Sequence, residues 1–129
     1  MARMKSRTLT DGELEFMLVL WADSAAAPDD IQKALAERGR MVTGGTIRNI
    51  LATLVGKGYV TREKRGKAYY YRAKVAEGQA KRSMVQDLLE RAFGGSESHL
   101  MASLLENREM PHEEITRIKH LIAVQEIKE

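Results

Sequence analysis

Residues 43–74, TGGTIRNILATLVGKGYVTREKRGKAYYYRAK, decide the fold of this 129-residue chain. Their first half has apolar residues at the i, i+3, i+4, i+7 spacing of an amphipathic helix, namely Ile47, Ile50, Leu51 and Leu54. The opposite face carries small or hydrogen-bonding groups and one long cation: Thr46, Arg48, Asn49, Ala52 and Thr53. We therefore expect a helix with one buried and one polar face, which ends at Gly56, with Gly58 in a tight turn beyond it.

Two β-prone runs, residues 59–63 and 68–72, follow this helix. They are joined by Lys64-Arg65-Gly66-Lys67, and a short loop that contains glycine between two such runs is a hairpin signal. A helix with a polar outer face followed by a basic hairpin is typical of the recognition helix and wing of a winged helix-turn-helix domain. The sequence therefore predicts that fold for this part of the chain.

The chain before this stretch predicts two supporting helices. Thr10-Asp11-Gly12-Glu13 has the residues of a capping box at the start of the first helix. That helix is apolar around most of its circumference, which indicates a central, broadly buried element. Its Trp21 is interpreted as a core residue, with a platform for a ligand as the alternative. The second helix begins at Pro28 and ends at Gly39, and residues 40–42 are a candidate third strand for the hairpin.

The chain after the hairpin predicts three amphipathic helices. The first spans residues 75–93 and ends at Gly94-Gly95. Ser96 can cap the second, and Met110-Pro111 starts the third. Their apolar stripes cannot easily be buried on a small winged domain alone, and pairing with the same segment of a second chain would cover them. A continuous coiled coil is the alternative, although the glycine pair interrupts it. The residues that we expect at the homodimer interface are Met84, Leu88, Leu100, Leu104, Ile115, Ile118 and Ile122.

The fold class predicted for the whole chain is mainly α with a small β hairpin. A winged-helix DNA-binding domain at residues 1–75 is followed by a helical dimerisation region at residues 76–129.

The net charge of +3 divides unevenly between these two parts. Residues 1–75 have 14 Lys and Arg against 8 Asp and Glu, and residues 76–129 have 7 against 10. A basic front half on an acidic back half suits a nucleic-acid module with a partner-binding tail. A chance division of an ordinary charged surface is the alternative, and the concentration of cations in the hairpin argues against it.

The recognition helix offers groups for reading DNA at its amino end, where such a helix meets base edges. Arg48 can pair with guanine O6 and N7, and Thr46 can meet a base or a phosphate. Gly44 and Gly45 allow close approach of the backbone, and the amides of the helix start suit a phosphate. The alternative is an exposed helix face with no ligand. The predicted DNA-binding residues of this helix are Thr43, Gly45, Thr46, Arg48 and Asn49.

The hairpin offers cations for the DNA backbone, since Arg62, Lys64, Arg65, Lys67, Arg72 and Lys74 stand against the single acid Glu63. Cations in such a hairpin suit phosphates, which position a protein on DNA without reading its sequence. Tyr69 and Tyr71 share one face of their strand, which we expect to pack inward, with Tyr70 on the other face. Base stacking by Tyr69 and Tyr71 is the alternative. The hairpin residues predicted to bind DNA are Arg62, Lys64, Arg65 and Lys67.

Other classes of function find little support in the sequence. The chain has no cysteine, which excludes a disulfide framework, a thiolate metal site and a cysteine nucleophile. His112 and His120 are not at the spacing of an HExxH site, so we interpret the histidines as solvated and expect neither a metal nor a cofactor. GxSxG and Walker motifs are absent, and we expect no enzymatic activity.

No apolar run approaches the roughly 18 residues of a membrane span, and the basic residues 1–7 lack the apolar segment of a signal peptide. We therefore expect a cytoplasmic protein without membrane insertion.

Four motifs carry a resemblance to a known family. They are L-T-x-x-E-L-E-x-M-x-x-L-W at residues 9–21, TIRN at residues 46–49, L-x-x-L-x-x-K-G-Y-V-x-R at residues 51–62 and G-K-A-Y-Y-Y-R at residues 66–72. The chain resembles the penicillinase-repressor (BlaI/MecI) transcriptional regulators from Leu9 to its last helix. The resemblance implies a winged-helix repressor that dimerises through its carboxy-terminal helices.

The resemblance also implies how such a repressor is switched off. Some members are inactivated by proteolysis in the penultimate helix, which implies a regulatory membrane metallopeptidase as a partner, and others by copper at a carboxy-terminal cysteine cluster. The absence of cysteine excludes the copper route here. The aligned bond for proteolysis lies near Ser103-Leu104, where the usual Asn-Phe pair is absent.

The function expected from the sequence is a homodimeric transcriptional repressor that binds double-stranded DNA at a pseudo-palindromic operator. One alternative is a small-ligand-responsive winged-helix regulator, whose effector would bind between the wing domain and the helical tail. Another is a winged-helix module for protein interaction without DNA binding, which predicts little salt-dependent affinity for DNA.

Overall fold

A computed structural model describes the protein at residues 8–106 and 108–128. The expected fold class, mainly α with a small β hairpin, is confirmed. The basic segment at residues 1–7, for which the sequence predicts no signal peptide, lies outside the described residues. The elements in chain order are α1 (Asp11–Ala22), α2 (Pro28–Glu37), α3 (Gly44–Lys57), β1 (Val60–Arg65), β2 (Ala68–Ala73), α4 (Glu77–Phe93), α5 (Glu97–Glu106) and α6 (His112–Lys128).

The chain divides into two compact units, one that ends at Asp87 and one that begins at Leu88. The boundary lies inside α4, beyond the division between residues 75 and 76 that composition suggests. The first half of α4 belongs to the winged unit because Ala80 is buried in its core and Met84 packs against that core. Met84, which the sequence assigns to a dimer interface, therefore also contributes to the fold of the first unit.

The first unit encloses a hydrophobic core to which α1, α2, α3 and the hairpin all contribute. Burying one such side chain fully stabilises the fold by roughly 1.5–3 kcal/mol. Helix α1 contributes more of these residues than any other element, as expected of the central helix. Trp21 packs against the same core, and its Nε1 donates a hydrogen bond to the carbonyl oxygen of Val75 at 2.9 Å. The most deeply buried residues are Phe16, Met17, Val19, Leu20, Ile31, Leu35, Ile47, Leu51, Leu54 and Val60.

An ion pair joins the beginning of α1 to the end of α3. The predicted capping box is confirmed: the amide of Thr10 donates to Glu13 Oε1 at 3.0 Å, and the amide of Glu13 donates to Thr10 Oγ1 at 3.2 Å. Lys57 Nζ lies 2.7 Å from the same Oε1 and also donates to the carbonyl oxygen of Thr8 at 3.2 Å. The side chains of Lys57 and Glu13 are only 16% and 9% exposed, so this pair is largely removed from solvent.

The end of α3 differs from the sequence prediction. The helix was expected to stop at Gly56, but it continues through Gly56 to Lys57. Gly58 provides the stop, because its φ of 85° is left-handed and its amide donates to the carbonyl oxygens of Leu54 and Val55. Lys57, the last residue of the helix, lies 2.7 Å from Glu13.

The hairpin is longer and its loop shorter than the sequence predicts. Lys64 and Arg65 were assigned to the loop, but they continue β1, and Arg65 pairs with Ala68 across the antiparallel ladder. The turn is therefore Gly66-Lys67 alone. Gly66 has a φ of 64°, and a glycine at positive φ in the first turn position is typical of a two-residue hairpin.

The third strand predicted at residues 40–42 is wrong. These residues form an irregular connection between α2 and α3, in which the carbonyl oxygen of Val42 accepts a hydrogen bond from Gln32 Nε2 at 2.7 Å. Arg40 is held by an ion pair with Glu15. The partner of the hairpin is instead Ala26, whose amide and carbonyl both bond to the backbone of Tyr71 in an isolated antiparallel bridge.

The second unit consists of the end of α4 together with α5 and α6. The predicted cap of α5 is confirmed, since Ser96 Oγ accepts a hydrogen bond from the amide of His99 at 3.2 Å. Helix α6 begins at His112, directly after the predicted start at Met110-Pro111. None of the residues described in α5 and α6 is buried, although both helices carry a stripe of large apolar side chains.

The contribution of the Glu13–Lys57 ion pair to the stability of the fold can be tested by substitution. Lys57→Met leaves a carboxylate in a largely buried position without its cation, and we expect the free energy of unfolding at pH 7 to fall by roughly 3 kcal/mol. Glu15→Gln is the matched control, because it removes an exposed ion pair of α1, and we expect a change below about 1 kcal/mol. Urea unfolding followed by circular dichroism measures both. Equal losses in the two variants would contradict the prediction.

The same pair gives the protein a defined dependence on pH. Burial alone raises the pKa of Glu13, but the hydrogen bonds from Lys57 and Thr10 and the charge of Lys57 together lower it below the ordinary value of 4.5. Because the folded pKa is the lower one, this stabilisation is complete above the unfolded pKa and is lost as the pH falls through the folded pKa. Wild type should therefore lose more stability than Glu13→Gln between about pH 5 and pH 3. Parallel loss in both proteins over that range would show that Glu13 does not cause the effect.

Candidate nucleic-acid interface

The outer face of α3 is exposed and polar, as the sequence predicts. Ile47, Leu51 and Leu54 are buried, so helical geometry turns the opposite face to solvent. Thr43 caps the helix, and its Oγ1 accepts a hydrogen bond from the amide of Thr46 at 3.3 Å. The helix contains no acidic residue. All five predicted DNA-binding residues of this region are exposed, namely Thr43, Gly45, Thr46, Arg48 and Asn49.

The guanidinium of Arg48 lies back along α3 toward its amino end. A Cβ placed on Gly44 would be 3.5 Å from Arg48 Nη1, which is ordinary van der Waals contact. The missing side chain of Gly44 therefore leaves one edge of the guanidinium next to bare backbone. This places a planar group with several donors at the first turn of the helix, which is the part that enters a major groove in winged-helix complexes.

The hairpin carries the remaining predicted DNA-binding residues. Alternation divides Arg62, Lys64 and Arg65 between its two faces, and Lys67 lies in the turn. Lys64 lies opposite Tyr69 on one face, and this face continues toward the core through Tyr71. The guanidinium of Arg62 lies 4.6 Å from the centroid of the Tyr69 ring, and Lys64 Nζ lies 5.9 Å from the same centroid. Two cations therefore converge on one aromatic ring near the tip of the hairpin.

The expectation that Tyr69 and Tyr71 both pack inward is wrong for Tyr69. Tyr71 is 8% exposed in the core, whereas Tyr69 is 39% exposed. The two residues do share a face, but the hairpin extends past the edge of the core, so that only the residues near its base are covered. Tyr69 is covered by Arg62 instead of by the core.

The other face of the hairpin contains the single acid of this element. Glu63 Oε1 accepts a hydrogen bond from Arg65 Nε at 2.6 Å, and the Arg65 guanidinium lies 5.0 Å from the centroid of the Tyr70 ring. The hydrogen bond and the charge of Arg65 lower the pKa of Glu63, with a further contribution from the charge of Arg72. An open cleft of about 310 Å³ on this side is lined by Ala25, Thr61, Arg62, Glu63, Arg65, Tyr70 and Arg72.

The residues predicted for dimerisation lie partly on exposed surface. Leu88, Leu104 and Ile122 are 48%, 52% and 54% exposed, whereas Leu100, Ile115 and Ile118 are half-buried within the second unit. Further large apolar side chains that the sequence analysis did not select are exposed in the same unit: Leu105, Leu121, Val124 and Ile127. The helical period of α6 could have identified Leu121 and Val124, because Ile118, Leu121 and Val124 follow one another at the i, i+3 spacing of one helix face.

A metal site and a membrane span find no support in the part of the chain that the structure describes. No group of three His, Asp or Glu side chains within residues 8–106 and 108–128 is arranged to hold a metal ion. His99 packs edge-on against Phe93, with 5.5 Å between the ring centroids. None of the described helices is both long and apolar enough to cross a membrane.

Comparisons with known proteins agree with this geometry. The sequence profile of the family described as "Penicillinase repressor" matches residues 9–124. The penicillinase repressor of Bacillus licheniformis is 25% identical over 114 residues, which are 88% of this chain and 88% of that protein. The methicillin resistance regulatory protein MecI of Staphylococcus aureus is 22% identical over 118 residues, which are 92% of this chain and 95% of that protein.

Solved structures show the same fold. The solution structure of the DNA-binding domain of the repressor BlaI matches 60% of this chain and 93% of that domain, with a TM-score of 0.51 and 27% identity. The structure of RosR from H. salinarum matches 97% of this chain and 100% of that chain, with a TM-score of 0.54 and 20% identity, and supports the fold alone. With a family profile that spans nearly the whole sequence and a winged-helix geometry in the first unit, this chain belongs to the penicillinase-repressor family of winged-helix transcriptional regulators.

Proposed function

We propose that this protein is a cytoplasmic transcriptional repressor that binds a pseudo-palindromic operator as a homodimer. The observation that carries the proposal is the exposed face of α3, which is polar, free of acidic residues and followed directly by a hairpin rich in Lys and Arg. Such a surface suits the negative backbone of DNA on electrostatic grounds, and a helix of this kind suits the width of the major groove.

The amino-terminal turn of α3 carries the groups for reading sequence. The guanidinium of Arg48 can present two donors to O6 and N7 of guanine, and Thr46 provides a short hydroxyl beside it. Gly44 and Gly45 allow the backbone to approach the groove floor closely. Cations from part of the wing bind phosphates and thereby fix the orientation of the helix without reading bases.

The apolar surface of the second unit supports the homodimer. Neither α5 nor α6 has a buried residue, and large side chains such as Leu121 and Ile122 are 66% and 54% exposed. An exposed apolar surface of this kind marks an interaction site more often than free surface. A second copy of the chain covers the same surface by two-fold symmetry, and two recognition helices then contact half-sites roughly 34–36 Å apart, which is one turn of DNA.

Inactivation by a membrane metallopeptidase stays a prediction from the family resemblance. Ser103 and Leu104 are both exposed, but the bond between them lies inside α5. A protease binds its substrate in an extended conformation, so cleavage at this position requires local unfolding of the helix.

Substitution of Arg48 tests whether α3 recognises the base sequence of the operator. If its guanidinium pairs with a guanine, Arg48→Ala should weaken binding to the operator by roughly 1–3 kcal/mol per half-site. The loss on scrambled duplex should be smaller, because non-specific binding depends on phosphates. Titration of both duplexes at one fixed salt concentration measures the difference. Thr53→Ala is the control, because Thr53 is exposed on the same helix but is not among the predicted DNA-binding residues. Equal penalties of Arg48→Ala on the two duplexes would assign Arg48 to a phosphate.

Ile122 provides the test of the homodimer. We expect the full-length protein to sediment as a dimer at micromolar concentration. Ile122→Glu should weaken self-association at least about a hundredfold, because two copies of an apolar side chain worth roughly 1.5–3 kcal/mol each are replaced by charges. His120→Glu is the matched control, since it adds the same charge on the opposite side of the helix. A monomeric wild type, or equal effects of the two substitutions, would contradict this interface.

A further inference from the structure

The two faces of the hairpin tip carry the same kinds of side chain in different arrangements. One face holds Arg62, Lys64 and Tyr69, and we call it the Tyr69 face. The other holds Glu63, Arg65, Tyr70 and Arg72, and we call it the Tyr70 face. Each face therefore has two cations and one tyrosine, but the acid of the hairpin lies only on the Tyr70 face.

The cations of the Tyr69 face have no acidic residue on their own face of the hairpin. Arg62 lies over the ring of Tyr69, and a contact with an aromatic face leaves the N–H groups at the edge of a guanidinium available to an anion. Lys64 approaches the same ring, so that a second positive charge lies beside Tyr69. Because the ring limits the freedom of the Arg62 side chain, less entropy is lost when the guanidinium binds a phosphate.

The cations of the Tyr70 face share that face with the carboxylate of Glu63. Arg65 donates its Nε to Glu63 at 2.6 Å, so one of its donors is already used. Glu63 also lies within electrostatic reach of Arg72. A phosphate that approached this face would meet a carboxylate, and like charges repel each other.

We infer that the Tyr69 face is the surface of the hairpin that binds the DNA backbone, and that Tyr69 is a positioning residue for Arg62. This inference rests on the proposed function, and it removes Arg65 from the set of phosphate-binding cations. Counting cations along the sequence cannot make that distinction, because Arg62, Lys64 and Arg65 are equivalent in composition.

A matched pair of arginine variants tests which face binds. The salt dependence of binding to a labelled duplex of random sequence is measured by fluorescence anisotropy for wild type, Arg62→Gln and Arg65→Gln. Each lost phosphate contact lowers the slope of log K against log salt by roughly 0.9. We expect Arg62→Gln to lower the slope by that amount for each protomer and Arg65→Gln to leave it unchanged. An equal or larger decrease for Arg65→Gln overturns the inference.

A second set of variants tests the positioning role of Tyr69. Tyr69→Leu should weaken binding roughly 2- to 5-fold per protomer, which corresponds to the loss of one exposed cation–π contact, and Tyr69→Phe should keep wild-type affinity. Tyr70→Leu is the matched control from the other face and should have little effect. In an Arg62→Gln background, Tyr69→Leu should cost less than in wild type, because its nearer cation, at 4.6 Å from the ring centroid, is already gone. Additive losses, or no rescue by phenylalanine, overturn the positioning role.

These experiments separate the inference from the function on which it rests. If wild type binds duplex with a steep salt dependence but the two arginine variants behave alike, the repressor function stands and the assignment of the face is wrong. If wild type shows no salt-dependent affinity for any duplex, both proposals are wrong.

Discussion

The burial of one stripe of α3 is the constraint on which the rest of the structure depends. Ile47, Leu51 and Leu54 are fully enclosed between α1, α2 and the hairpin, and a rotation of the helix that exposed them would cost several kcal/mol. The orientation of the opposite face is therefore fixed by packing. Arg48 is held outward by the same contacts that stabilise the fold. The candidate interface is therefore already formed before DNA binds.

Much of this arrangement could be predicted from the sequence because it depends on local pattern. Helical periodicity identified the buried stripe, and the capping residues identified the starts of α1 and α5. The end of α3 was misplaced because two glycines, Gly56 and Gly58, are equally good stop signals by composition. Only the left-handed backbone at Gly58, with its two amide-to-carbonyl contacts, distinguishes them.

The features that the sequence could not reveal depend on residues far apart in the chain. Lys57 and Glu13 are 44 positions apart, and neither has a local pattern that indicates a buried pair. The bridge between Ala26 and Tyr71 uses backbone atoms alone, which any residue would provide. The exposure of Tyr69 depends on how far the hairpin extends past the core, which strand alternation does not predict. The candidate site was thus predicted as a set of residues, but not as two distinct faces.

The hydrogen bond from Trp21 to the carbonyl of Val75 gives the protein a built-in optical probe. Trp21 is the only tryptophan in the sequence, and its indole joins the central helix α1 to the segment that leaves the hairpin. Indole emission moves to longer wavelength when water replaces such a partner. Fluorescence excited selectively at tryptophan therefore reports on the contact between α1 and the segment after β2. Detachment of the segment after β2 shifts the spectrum, because the indole N–H then donates to water instead of to Val75.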